Sequence, residues 1–135
     1  MNVVLDASAA IGLVVSKRRE VEIQKALNEA GQIFVPDLYA CEIVNTLWKY
    51  RQSQKLKLEI CGKYLSQMLN LPHEMISSAS LAQDSMELCF KSKNPAYDHF
   101  YFALARKVGA GLITLDKEMA KDAMGFGIPT MDLSA

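Results

Sequence analysis

Apolar residues in this 135-residue chain follow two alternating patterns. Short unbroken runs at residues 2–5, 33–35 and 112–115 suit strands covered on both faces, as in a parallel sheet. Residues 75–77 and 129–133 read as weaker strands. Between the runs, apolar positions recur at helical spacings. Residues 20–30 carry Val21, Ile23, Ala26 and Leu27, and a long helix capped by Asp37 carries Leu38, Cys41, Val44, Leu47 and Trp48. Residues 58–69, 80–90, 97–108 and 117–124 continue the series. Gly31, Pro36, Pro72, Pro95 and the pairs Gly109/Gly111 and Gly125/Gly127 punctuate it. Strands alternating with helices predict an α/β sandwich with a mainly parallel sheet, in a single domain over residues 1–135.

Composition narrows the function classes. Half the residues are hydrophobic, enough for one sizeable core without covalent staples. Fifteen Lys and Arg balance fifteen Asp and Glu, so bulk charge favours no polyanionic partner and any such binding must use local patches. The opening stretch MNVVLDASAAIGLVV is apolar but split by Asp6, and its cations Lys17, Arg18 and Arg19 follow it. A secretory signal has its cations ahead of the apolar run, and no run reaches the roughly 18 residues of a membrane span. A mature, soluble, cytoplasmic protein with no membrane partner is expected. Cys41, Cys61 and Cys89 are odd in number and form no CxxC pair. They predict free, mostly buried thiols rather than disulfides or zinc ligands. His73 and His99 are too few and too isolated for a histidine metal site.

The acids carry the chemistry. Asp6 directly follows the first strand, with Ser8 placed to cap the next helix, and Asp116 directly follows the strand GLITL. Ligands of open parallel sheets bind beyond the carboxyl ends of the strands, near a switch in strand order. Each aspartate alone is also explained as a helix cap. Glu42 lies one turn into the Asp37 helix among Cys41, Ile43 and Val44, with Asn45 at i+3 on the same face. Asp98 stands in NPAYDHFYFALA near the start of an aromatic-rich helix. Acids clustered in apolar surroundings repel one another and resist ionisation unless cations neutralise them. A donor set made only of oxygen selects a hard divalent ion, Mg²⁺ or Mn²⁺.

Four stretches, DASAAIGLVV, VPDLYACEIVNTLWK, YDHFYFALARKVGAGLITLDKEMA and GFGIPTMDL, resemble in order and spacing the successive motifs of PIN-domain ribonucleases, above all the single-domain VapC-type toxins of toxin–antitoxin pairs. The resemblance covers nearly the whole chain and is least diagnostic over residues 55–93. It implies a three-layer α/β/α PIN-like sandwich. It also implies an acidic Mg²⁺ or Mn²⁺ site made by Asp6, Glu42, Asp98 and Asp116, the last ranked below the others as a direct ligand. Ser8, Asn45 and Thr114 would have supporting roles. Thr114 lies two residues before Asp116 and so projects to a similar side of the strand. The activity implied is metal-dependent hydrolysis of RNA phosphodiesters, leaving a 5′-phosphate and a 3′-hydroxyl. A small antitoxin partner and a homodimer are implied as well. No Ser–His or Cys–His constellation competes with this chemistry.

Local charge offers a candidate RNA track. Lys49, Arg51, Lys55, Lys57 and Lys63 are interrupted only by Glu59, and Lys91, Lys93, Arg106 and Lys107 flank the Asp98 stretch. Lys49, Arg51 and Arg106 are the leading phosphate contacts, against the alternative of ordinary solvated helix faces. The role of the basic loop over residues 13–19 is unassigned. A nucleotide-binding reading fails because there is no GxxxxGK[ST] loop. A phosphoacceptor receiver would want paired acids after its first strand, where Asp6 stands alone. The remaining alternative is a non-catalytic PIN-like RNA-binding or scaffold protein, which a missing acid would favour.

Overall fold

The computed structural model describes residues 1–134. In chain order the elements are β1 (Val3–Leu5), α1 (Ala7–Val14), α2 (Glu20–Glu29), β2 (Ile33–Pro36), α3 (Leu38–Gln52), α4 (Leu58–Leu69), β3 (Glu74–Ile76), α5 (Ser78–Cys89), α6 (Ala96–Val108), β4 (Gly111–Thr114), α7 (Lys117–Gly125) and β5 (Thr130–Asp132). Every strand pair is parallel, in the order β3-β2-β1-β4-β5. Parallel strands require crossovers, which the helices supply on both faces of the sheet.

The order has one consequence for function. The chain builds outward from β1 to β2 and β3, returns through α5 and α6, and then builds β4 and β5 on the other side. The switch therefore lies between β1 and β4, paired Val3↔Gly111, Val4↔Leu112 and Leu5↔Ile113. Right-handed crossovers assign α1–α4 to one face and α5–α7 to the other. Contacts follow that division: α1 packs on α2, α3 and α4, while α5 packs on α6, and α6 lies across β2, β1 and β4.

The core is continuous through the middle of the sheet. Val4, Leu5, Val35, Leu112 and Ile113 meet the helix residues Ile23, Ile43, Leu81, Phe102, Leu104 and Met119. Of the three strands legible as unbroken apolar runs, β2 and β4 are buried at every position and β1 at all but Val3. The two weaker ones, β3 and β5, are the sheet edges, and both have exposed residues. Gly109 ends α6 in the left-handed conformation, φ 64°, that a glycine adopts without a Cβ penalty.

Three local expectations are corrected. The Asp37 carboxylate does not cap α3; its Oδ1 accepts from the backbone N–H of Ser78, 3.0 Å away, at the start of α5. On α3 the inward stripe is Tyr39, Ile43 and Leu47, while Val44 and Trp48 face outward and Cys41 is exposed. One apolar set fits helical spacing as well as the other, and packing against the sheet chose between them. Nor are the thiols buried: Cys61 and Cys89 are half-buried.

Candidate active site

At the end of β1 the backbone N–H of Asp6 donates to the Ile113 carbonyl at 3.1 Å, so the two central strands stay registered up to the point where α1 begins. Asp6 then occupies the cap position of α1 without capping it through its side chain. Instead its Oδ2 accepts from the hydroxyls of Ser8 and of Thr114, the latter at 2.8 Å. Ser8 is not the helix cap the sequence suggested. It lies inside α1, where its Oγ also accepts from the Leu115 N–H at 3.0 Å. Thr114 Oγ1 in turn accepts from the Asp116 N–H at 2.9 Å. Two hydroxyls thus join the ends of β1 and β4 and hold one carboxylate, only 5% exposed, at the switch point.

Glu42 reaches the same place from α3 and Asp98 from the first turn of α6. The wholly buried Tyr101, on the inner face of α6, donates its hydroxyl to Glu42 Oε1 at 2.6 Å. Asp6, Glu42, Asp98 and Asp116 line one cleft of about 440 Å³. Asp116 differs from the rest: it is exposed, and its Oδ1 caps α7 by accepting from the Met119 N–H at 3.0 Å.

The electrostatics reflect the crowding. Burial pushes the Glu42 carboxyl up to about 7; the Tyr101 hydrogen bond opposes the rise, and the charges of Asp6 and Asp98 add to it. Burial likewise lifts Asp98 to about 7, assisted by Asp6, Asp116 and Asp122. Asp6 is raised by burial despite the two hydroxyls, and Asp116 contributes to the rise. Without a compensating cation these groups hold protons at a pH where ordinary carboxylates have none. The donor chemistry fits a hard divalent ion, being all oxygen and charge-rich. Among the described residues, however, no three His, Cys, Asp or Glu side chains are grouped tightly enough to enclose an ion as they stand. The acids share a cleft rather than a closed cage.

Not every expected residue arrives there. Asn45 is exposed and does not line the cleft; its neighbour Thr46 does, and donates to the Glu42 carbonyl at 3.0 Å. Lys49 and Arg51 are exposed on the last turn of α3 and do not line it either. Arg106 stands in another cleft with Asp84 and Glu87, where its guanidinium donates to the Phe126 carbonyl at 3.1 Å and lies 5.8 Å from that ring. Ser16, Arg18, Thr46 and Tyr50 also line the cleft without having been singled out for the site. Tyr101, which the sequence offers as a base-stacking, core or dimer-contact side chain, is buried and steadies Glu42. Thr46 follows Glu42 by four and Tyr101 follows Asp98 by three, so helical spacing from the acids was the signal available. Arg18 lies on a loop and offered none.

Comparison with known proteins bears on the fold and the family. The PIN domain family matches residues 3–123. Ribonuclease VapC3 of Pyrobaculum aerophilum is 32% identical over 123 residues, covering 90% of this chain and 94% of that protein. A crystal structure from the same organism superposes with a TM-score of 0.76 at 19% identity, covering 99% of this chain and 85% of the other. A toxin–antitoxin complex from Klebsiella pneumoniae gives 0.66 at 24% identity, covering 98% of each chain. The structural likenesses carry the fold, and the family match together with the sequence identity carries the kinship: this chain belongs to the PIN-domain family.

Proposed function

We propose that this chain is a metal-dependent endoribonuclease and the toxin of a toxin–antitoxin pair. The observation that carries the reading is the convergence of four carboxylates from four separate elements in one cleft at the sheet's switch point. The name of the relative Ribonuclease VapC3 supports the reaction class. Asp6, Glu42 and Asp98 would hold Mg²⁺ or Mn²⁺, with Asp116 contributing the oxygen that does not cap α7. When bound, the ion supplies charge neutralisation at the phosphodiester and a water acidic enough to act as nucleophile. The protein's own part is positional. Ser8 and Thr114 fix the orientation of Asp6, Tyr101 that of Glu42, and the α6 helix that of Asp98. Binding would draw the acids together and displace the protons that burial and repulsion retain on them.

Purified protein is expected to cut RNA with Mg²⁺ or Mn²⁺ and to stop on chelation. Undiminished cutting in excess EDTA, with contaminating nuclease excluded, refutes the metal reading. A small antitoxin partner is supported by the toxin–antitoxin complex among the structural neighbours. Growth arrest on expression of this chain, relieved by its genomic neighbour, tests the pair. A homodimer belongs to the same reading and is checked by light scattering. No described helix is long and apolar enough to cross a membrane, and we propose a cytoplasmic site of action.

A further inference from the structure

A cleft walled by four acids repels the phosphodiester it is proposed to cleave, so the positive charge on its wall matters. Arg18 is the one Lys or Arg among the residues lining it. It nevertheless pairs with none of the acids: among the described residues the only ion pair is Lys17–Glu20, at 3.2 Å. The guanidinium instead donates from one terminal nitrogen to the Ser134 carbonyl, just beyond β5. A guanidinium has five N–H donors, so the fork is anchored without being used up.

The loop is held in place from both sides. Lys17 and Arg19, the neighbours of Arg18, both have φ of 57°, a left-handed conformation uncommon in residues with a side chain. Gly12 on α1 lets it lie close. A Cβ there would sit 3.0 Å from the Arg18 carbonyl and 2.3 Å from Leu115 Cδ1, and Leu115 lies between Thr114 and Asp116. The segment carrying Arg18 is therefore packed against α1, the helix that Asp6 begins. The three cations favoured from the sequence, Lys49, Arg51 and Arg106, line no part of this cleft.

We propose that Arg18 is the phosphate-gripping residue of the site, its guanidinium fork donating to non-bridging oxygens of an RNA phosphodiester seated beside the acids. The inference rests on the ribonuclease reading and adds a substrate-positioning residue to it. Arg suits the task better than Lys because its planar donors match two phosphate oxygens at once.

The test compares wild type with Arg18→Gln and Arg18→Lys, using a pool of random-sequence, single-stranded RNA oligonucleotides in Mg²⁺ buffer. Cleavage kinetics and fluorescence anisotropy are both read. Arg18→Gln should raise KM and the RNA dissociation constant about tenfold, with kcat changed much less, and Arg18→Lys should recover part of the loss. The dependence of log affinity on log salt should become shallower by about one contact for Arg18→Gln. The rise in melting temperature on adding Mg²⁺ should match wild type, since the acids are untouched. Variants that lose thermal stability but keep the wild-type KM, dissociation constant and salt slope overturn the inference and make Arg18 a latch for Ser134. Wild type that binds RNA in an Arg18-dependent way without cutting it would remove the ribonuclease reading and leave the phosphate contact standing. Wild type that neither binds nor cuts overturns both.

Discussion

The ends of β1 and β4 have the same local plan: an apolar strand, an aspartate, then a helix. They lie side by side, yet the two aspartates do different things. Asp6 is buried, leaves the capping of α1 to its backbone, and receives two hydroxyl hydrogen bonds. Asp116 is exposed and spends one oxygen capping α7. The first arrangement gives nothing to helix stability and keeps a carboxylate aimed into the cleft; the second is partly an ordinary helix start. Capping is thus only one use of an aspartate after a strand, made by Asp116 but by neither Asp6 nor Asp37. Where a neighbouring strand supplies a competing donor, in this case the Thr114 hydroxyl beside that of Ser8, the carboxylate is drawn away from its own helix and toward the cleft.

The largest expected difference is in activity. Asp6→Asn should lower RNA cleavage by more than about 100-fold, beyond the usual cost of losing a group that merely supports a ligand, while Asp116→Asn should cost no more than roughly tenfold, within that supporting range. Equal losses in a single-turnover cleavage assay would erase the distinction. Thr114→Val, which keeps the shape and removes the hydroxyl, should cost roughly 10–100-fold through misorientation of Asp6; full activity in that variant means the hydroxyl pair has no part in positioning.

Thermal melts in EDTA at pH 8 should separate the two aspartates by sign. Asp6→Asn removes a buried, repelling charge and should raise the melting temperature, whereas Asp116→Ala loses a cap and should cost about 0.5–2 kcal/mol. Asn is as good a cap as Asp, so Asp116→Asn should be nearly neutral. A clear loss of stability in Asp6→Asn would show that its carboxylate is structural after all.

The remaining effect is a slope. In the folded protein Glu42 and Asp98 titrate near 7, above their ordinary values of 4.5 and 3.8. Between those limits the folded state binds protons that the unfolded chain has released, so metal-free stability should fall as pH rises from about 4 through about 7. The stability is fully present below the ordinary values and lost once the folded groups ionise. Glu42→Gln and Asp98→Asn should each flatten the fall, as should Mg²⁺, and denaturant unfolding across this pH range measures it. A wild-type slope matched by both variants would detach these acids from the cleft's electrostatics.

Legibility followed burial and chain proximity. The helices could be read from apolar positions recurring at helical spacing, and the central strands because two-sided burial forces unbroken apolar runs, which β1, β2 and β4 carry. The edge strands β3 and β5 read weakly because exposed edges relax that demand. Asp6, Glu42, Asp98 and Asp116 could each be found as acids out of place in apolar stretches or at strand ends. Asn45 was placed by helical spacing from Glu42, yet the rotation of α3 leaves it exposed and turns Thr46 into the cleft.

What this sequence determined by itself is the set of elements, their parallel arrangement and the four acids, because each depends on patterns within one turn, one run or one junction. Only the tertiary structure decided which acid is held and which is spent on a cap. It also decided that a tyrosine on α6 steadies a glutamate on α3, and that an arginine from a loop faces the acids without pairing with them. Those outcomes depend on groups as much as 108 residues apart, as Thr114 is from Asp6. Side chains that distant meet only after the sheet has chosen its strand order, and no local propensity encodes that choice.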